Sequence, residues 1–268
     1  MAQAYAGTIG IIGGGSMGGA VARGLVESGA AEAARVLVAD HHAERRDELA
    51  ALGIRTFCDE AALMGERPDV LVLAVKPQVL PATMASVAPR AAGLLVVSVA
   101  AGVTLSALEA ALPGTRVVRA MPNLPVAVRS GATAVAAGAT AAPGDAELVR
   151  SLFSALGVAE VMREDQLDVA AVVAGCSPAF FALFVDALTR AGIRAGLPAA
   201  ACRRMVEATM RGTAEQLVNG GAHPREYLEG VTSPGGTTAA ALYALEPALV
   251  SGSYAAVDAA LERTRELG

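Results

Sequence analysis

Apolar residues in the first part of the chain form short continuous runs that alternate with segments of helical spacing. Runs rich in Val and Leu are typical of strands buried on both faces of a parallel sheet. The predicted strands are 9–12, 35–39, 69–75, 94–99, 117–121, 132–136 and 158–162. The first predicted helix follows residue 17, and the others span 42–52, 77–88, 105–112 and 145–156. This alternation predicts an α/β fold, a Rossmann-type doubly wound sheet over residues 1–163.

Beyond residue 163 the strand-like runs end, and Ala, Leu, Arg and Glu recur at helical spacing. The predicted helices are 165–174, 178–191, 199–218, 224–229, 234–245 and 252–267. Pro178 is expected to break the apolar stretch near residue 175 and to restart it in a new first turn. We therefore predict an all-helical domain over residues 164–268, whose weakly charged faces are buried in a homodimer.

The composition of the chain argues against two classes of binding partner, nucleic acids and membranes. The net charge is −5 and the basic residues are scattered, which argues against a nucleic-acid surface. The longest uncharged apolar stretch, 169–185, is shorter than the roughly 20 residues of a membrane-spanning helix, so we expect a buried core helix and no membrane partner. Three separated cysteines and the lack of a basic leader before residue 9 predict a cytoplasmic protein without disulfides.

A glycine-rich turn follows the first predicted strand and opens a helix. It contains Gly13, Gly15 and Gly18 in the spacing of a dinucleotide-binding loop, with Ser16 and Met17 between them. In such a loop the first glycine makes the turn, the second admits a pyrophosphate and the third lets helix and strand pack closely. We therefore predict a dinucleotide at the helix N-terminus, with a merely flexible turn as the alternative.

A second glycine-rich turn lies in the helical part, at residues 231–238. Ser233 is predicted to cap a helix whose first residue is Pro234. The glycines at 235 and 236 weaken a helix, and we explain them by a carboxylate that approaches the bare backbone N–H groups. The alternative is an ordinary capped turn.

Three predicted strands end in segments suited to line a ligand crevice. They are the run from Val75 through Lys76 to Pro77, the small residues Ala100, Ala101 and Gly102, and the proline-flanked Asn123. A solvated charge and tight structural turns are the alternatives. We find no metal-binding motif and no Ser, His, Asp set. Hydride transfer needs little from the protein beyond alignment of cofactor and substrate, so the candidate residues found here are compatible with it.

These motifs resemble pyrroline-5-carboxylate reductases over nearly the whole chain. The resemblance rests on the loop at 13–18, Ala-Val-Lys-Pro-Gln at 74–78, Ala-Ala-Gly-Val-Thr at 100–104, Met-Pro-Asn-Leu-Pro at 121–125 with Gly-Ala-Thr at 131–133, Gly-Cys-Ser-Pro-Ala at 175–179, residues 192–198, His-Pro at 223–224, and above all residues 231–238. It implies reduction of 1-pyrroline-5-carboxylate to L-proline by NAD(P)H, the last step of proline biosynthesis. It also implies a dimerising second domain and, in many members, a ring of dimers.

By this resemblance the substrate lies between one subunit's cofactor and the 231–238 turn. The implied substrate-binding residues are Ser233, Gly235, Gly236, Thr237, Thr238, Cys176, Ser177 and Asn123, with Thr238 as the catalytic hydrogen-bond donor to the ring nitrogen. Cys176, Ser177, Leu124 and Gly230 depart from the usual pattern. A reductase of a related cyclic imine acid and a non-catalytic dinucleotide-binding paralogue are therefore kept as alternatives.

The cofactor preference depends on the end of the second predicted strand. Asp40 lies where a carboxylate bonds a ribose 2′-hydroxyl, which favours NADH. His41, His42, Arg45 and Arg46 follow directly, and Arg suits a phosphate. With the family's preference added, we predict NADPH as the cofactor, with detectable NADH activity.

Overall fold

The computed structural model describes residues 4–267 and divides the chain into two compact units. The first unit runs through Gly175 and also includes the last residues from Arg263, and the second unit comprises Cys176–Glu262. This division lies after the predicted domain boundary at residue 163, so the first turns of the predicted helical domain belong to the first unit.

One sheet of eight strands forms the centre of the first unit. The strands are β1 Ile9–Ile12, β2 Val36–Ala39, β3 Arg55–Phe57, β4 Val70–Leu73, β5 Leu95–Ser98, β6 Arg116–Pro122, β7 Gly131–Ala137 and β8 Gly157–Val161. Their order is β3-β2-β1-β4-β5-β6-β7-β8, and all neighbours are parallel except the antiparallel pair β6 and β7. The predicted doubly wound fold is confirmed.

Helices cover both faces of this sheet. They are α1 Ser16–Glu27, α2 Ala43–Ala50, α3 Glu60–Gly65, α4 Leu80–Val87, α5 Leu105–Ala111, α6 Asp145–Ser154 and α7 Glu164–Ala170. Along each strand alternate side chains enter two separate cores: Ile9 and Ile11 belong to the core that contains α1 and α6 residues, and Ile12 to the core that contains α3, α4 and α5 residues. Burial on both faces explains why these strands are continuously apolar.

The sequence prediction lacked one strand and one helix of this unit. The strand β3 has three residues, Arg-Thr-Phe, none of them fully buried. The helix α3 has six residues, which is less than two turns. Elements this short carry too few positions to show a period. The predicted helix 77–88 begins only at Leu80, because Lys76–Val79 forms a turn in which the Val79 N–H donates to the Lys76 carbonyl at 2.9 Å.

The second unit is built from α8 Ser177–Arg194, α9 Ala199–Gly220, α10 Pro224–Gly230 and most of α11 Thr237–Leu267. The expected break near residue 175 is wrong: a π-helical turn, Ala171–Cys176, joins α7 to α8 without interruption. Two predicted helices, 234–245 and 252–267, are one helix that contains Pro247. A single proline removes one N–H donor, and the many bonds of the flanking turns maintain the helix across it.

The apolar faces of the second unit are exposed in the single chain. By length and composition alone, the helix Glu164–Arg194 could cross a membrane. Only 6% of its most apolar 18-residue stretch is buried inside the protein. The expectation that residues 169–185 form a buried core helix is therefore wrong within one chain. Among residues 176–262, all of which the structure describes, only Cys202 is buried.

Candidate functional site

The glycine loop between β1 and α1 needs glycine at two positions for reasons internal to the protein. Gly13 has φ +100°, and a β carbon there would lie 2.7 Å from the Ala74 carbonyl oxygen. A β carbon on Gly18 would lie 1.9 Å from the Gly13 carbonyl oxygen. Both glycines thus permit close packing of loop, helix and strand.

Gly15 differs, because the space above it is open. Among the described residues, other than its two chain neighbours, the atom nearest to a β carbon on Gly15 would be Arg45 Nη1, at 3.6 Å. Gly15 is the N-cap residue of α1 and makes no side-chain capping hydrogen bond. The first N–H groups of α1, from Ser16 and Met17 onward, therefore open onto space that an anion can fill.

Asp40 follows β2 and lies beside this loop. Its carboxylate accepts from the Gly14 N–H at 2.8 Å and from the His42 N–H at 2.8 Å. The His42 ring nitrogen Nδ1 lies 2.9 Å away and Arg45 Nη1 lies 3.3 Å away. Burial raises the pKa of this carboxyl, but the hydrogen bonds from His42, Gly14 and Arg45 together lower the pKa below its ordinary value. Asp40 is therefore an anion fixed inside the protein.

A cleft of about 630 Å³ lies at the carboxyl ends of β1, β2 and β4, within the range of ligand pockets. The structure brings together there these residues predicted from the sequence: Gly13, Gly15, Ser16, Met17, Asp40, His41, His42, Val75 and Lys76. Five predicted cofactor residues do not line it. Gly18 is buried in α1. Pro77 lies in the turn before α4, Ala100 is buried, and Ala101 and Gly102 form the exposed turn after β5.

Sequence reasoning missed two acidic residues of this cleft, Asp59 and Glu60. Both follow β3, the strand that was not predicted. Asp59 caps α3 by accepting a hydrogen bond from the Ala62 N–H at 2.8 Å. Glu60 Oε2 lies 3.9 Å from His41 Nε2. A helix-cap signal at Asp59 was available in the sequence, but without the strand nothing placed it near the glycine loop.

Asn123 joins three segments of the first unit. Its Oδ1 accepts from the Ala132 N–H at 2.8 Å, and its Nδ2 donates to the Ala174 carbonyl at 3.0 Å. Ala174 lies four residues before Pro178, which has no N–H to donate in an α-helix. The Asn123 amide thus supplies a donor at the π-helical turn, and its predicted contact with substrate stays a prediction.

The second glycine-rich segment forms a turn before the helix. The Gly236 N–H donates to the Ser233 carbonyl at 3.0 Å, and Gly235 has φ +66°. With Pro234 preceding Gly235, this is the pattern of a type II turn. The predictions that Ser233 caps the helix and that Pro234 begins it are wrong, because α11 begins at Thr237. Pro234 and Gly235 prefer the turn to a helical first turn.

The remaining candidates lie at helix starts of the second unit. Cys176 ends the π-helical turn and Ser177 begins α8, and both are partly buried. Thr237 and Thr238 begin α11 and are exposed. Within residues 4–267 no group of three His, Cys, Asp or Glu residues is arranged to hold a metal ion.

Comparisons with known proteins cover both parts of the chain. A family model for pyrroline-5-carboxylate reductase dimerisation matches residues 164–267, and one for NADP oxidoreductase, coenzyme F420-dependent, matches residues 8–102. Pyrroline-5-carboxylate reductase of Synechocystis is 39% identical over 97% of this chain and 98% of its own length.

Two solved structures agree with this similarity. A pyrroline-5-carboxylate reductase from Coxiella burnetii has a TM-score of 0.92 and 31% identity over 98% of this chain and 99% of its own. A Plasmodium falciparum pyrroline carboxylate reductase with NADP bound has a TM-score of 0.85 and 25% identity over 99% of both chains. The similarity extends through the glycine loop, the sheet and the helical unit, and the chain belongs to the pyrroline-5-carboxylate reductase family.

Proposed function

We propose that this protein reduces 1-pyrroline-5-carboxylate to L-proline with NAD(P)H. A hydride is transferred to the imine carbon and a proton to the ring nitrogen, which gives the secondary amine. Membership of the family over nearly the full length carries the proposal. The open space at Gly15 and the uncapped start of α1 support it, because they fit a dinucleotide pyrophosphate. Oxidation of NADPH with 1-pyrroline-5-carboxylate as substrate tests the reaction.

The substrate carboxylate is held by backbone N–H groups of the 233–238 turn. The Gly236 N–H is already donated to Ser233, so Gly235, Thr237 and Thr238 offer the remaining donors of the predicted set. The first N–H groups of α11 lack acceptors within the helix. A carboxylate at this helix start satisfies them and is favoured by the helix dipole.

The Thr238 hydroxyl is the proposed hydrogen-bond donor to the ring nitrogen. We expect Thr238→Ala to lower kcat by about 10²-fold or less, since one donor to a reacting group contributes at the low end of general-acid effects. Thr238 is exposed in the chain, so the variant is expected to keep its melting temperature. Steady-state kinetics with a thermal melt measure both quantities, and an unchanged kcat and KM would assign the role to another group.

NADPH is the proposed preferred cofactor, with measurable use of NADH. The cleft carries His41, His42, Arg45 and Lys76, and its acidic Asp40 is held internally. We expect kcat/KM to be higher for NADPH than for NADH. A preference for NADH of more than tenfold would contradict this assignment.

The protein acts as a homodimer through its second unit, and a ring of dimers stays a further prediction. Cys202 is the only buried residue of 176–262, so the four helices of this unit have almost no core of their own. A second copy would cover exposed apolar side chains, which in this unit include Phe181, Leu183, Met205, Val218 and Tyr243. The dimerisation model that matches residues 164–267 supports the same assignment. A cytoplasmic location is predicted with it.

Residues at two places bear on which cyclic imine is the substrate. Cys176 and Ser177 depart from the family pattern at the start of α8, and Leu124 is 62% exposed beside Asn123. A reductase of a six-membered or substituted cyclic imine acid is the second candidate. Comparing kcat/KM for five- and six-membered cyclic imine acids separates the two, and binding of dinucleotide without turnover of either would favour the non-catalytic paralogue.

A further inference from the structure

Asp40 occupies the position where a carboxylate ordinarily bonds a ribose 2′-hydroxyl and so selects NAD(H). Its side chain is only 6% exposed, and four donors of the chain already surround its two oxygens. Oδ1 faces the backbone N–H and the ring Nδ1 of His42, and Oδ2 faces the Gly14 N–H and Arg45 Nη1. A carboxylate offers about four acceptor sites. None remains for a ribose hydroxyl.

The surrounding cations compensate the negative charge. Arg45 pairs with the carboxylate at 3.3 Å, and Arg46 Nη1 donates to the backbone carbonyl of the same Asp40 at 2.8 Å. All three residues line the cleft, but the Arg45 side chain is 46% exposed and the His42 side chain 66% exposed, whereas the Asp40 side chain is only 6% exposed. A 2′-phosphate at this position meets donors rather than an uncompensated anion.

The carboxylate also fixes the glycine loop. Gly14 lies between Gly13, which makes the turn, and Gly15, which leaves space for a ligand. The bond from its N–H to Asp40 spans 26 residues of sequence and is buried. Loss of this bond frees the loop that both dinucleotides share, whichever ribose they carry.

We propose that Asp40 is a positioning residue that holds the glycine loop for NADP(H) and NAD(H) alike, and that Arg45, which lines the cleft, discriminates in favour of the 2′-phosphate. The inference rests on the proposed binding of a nicotinamide dinucleotide and does not depend on which imine is reduced.

Dissociation constants for NADP⁺ and NAD⁺ test the proposal, measured by calorimetry without substrate. We expect Asp40→Asn to weaken both cofactors by about tenfold, the effect of one lost bond to a charged group, and to change the ratio of the two constants by less than threefold. Asp47→Asn is the matched control, because it removes the same charge from the exposed side of α2. The Arg45→Ala variant is expected to weaken NADP⁺ at least threefold more than NAD⁺.

A change in the ratio of threefold or more in Asp40→Asn would overturn the proposal, as would unchanged affinity for both cofactors. Asp40→Glu gives a second measurement if the amide variant does not fold. It keeps the charge but displaces the carboxylate from the Gly14 N–H, so we expect weaker binding of both cofactors, and intact binding of both would overturn the positioning role. A parent chain that binds both dinucleotides but reduces no imine would contradict the proposed reaction and leave this inference standing. A parent chain that binds neither would overturn both.

Discussion

Gly15→Ala is expected to fold like the parent chain and to bind NADPH at least about 100-fold more weakly. Apart from the adjacent residues Gly14 and Ser16, no atom of the described residues would lie closer than 3.6 Å to the added β carbon, so the folded protein accommodates it. The methyl group occupies the space where phosphates approach the start of α1. Loss of hydrogen bonds to a charged group, at about 1.5–3 kcal/mol each, accounts for the expected weakening when two are lost.

Gly18→Ala provides the contrast within the same loop. Its β carbon would lie 1.9 Å from a backbone oxygen, so we expect a lower melting temperature together with loss of binding. Thermal melts and NADPH titrations of both variants separate the two effects. If Gly15→Ala bound NADPH as tightly as the parent chain, the pyrophosphate would not lie over this loop.

The double variant Phe181→Glu, Leu188→Glu is expected to be monomeric and to lose at least about 100-fold in kcat/KM. These residues lie seven apart on α8, hence on one face, with 60% and 47% of their surface exposed in the single chain. An uncompensated charge buried in an interface costs about 3–5 kcal/mol. Two of them in each subunit exceed what a dimer of ordinary affinity tolerates.

Light scattering and kinetics over a range of protein concentrations measure this loss. Arg194→Glu is the control, because it lies exposed at the end of α8 and changes the net charge by the same amount. A dimeric, fully active double variant would show that this face of α8 lies outside the interface.

The strands of the sheet were predictable because their burial leaves a pattern. β1, β2, β4 and β5 are each buried over four consecutive residues, and short continuous apolar runs are typical of strands that are covered on both faces. The short, partly exposed β3 leaves no such pattern. Its omission removed Asp59 and Glu60 from the predicted cleft.

Prolines misled the prediction of the helical part. Pro178 was expected to start a new helix after a break near residue 175, and the predicted helices 234–245 and 252–267 left a gap that contains Pro247. The structure has a continuous helix at each place. At Pro178 a π-helical turn and the Asn123 amide accommodate the missing donor. Asn123 lies 51 residues before Ala174, so a prediction from local helix propensity does not include this contact. At Ser233 the helix was predicted to begin too early: Ser233 was expected to cap it, but the helix begins only at Thr237.

Cys202 as the only buried residue of 176–262 bears on how the protein is made. During synthesis the sheet emerges first and holds two cores of its own, so it can fold while the ribosome is still translating. The helices that follow bury almost nothing within one chain. In the proposed homodimer their folding is a bimolecular step, whose rate would rise with the local density of nascent chains on neighbouring ribosomes of one messenger RNA.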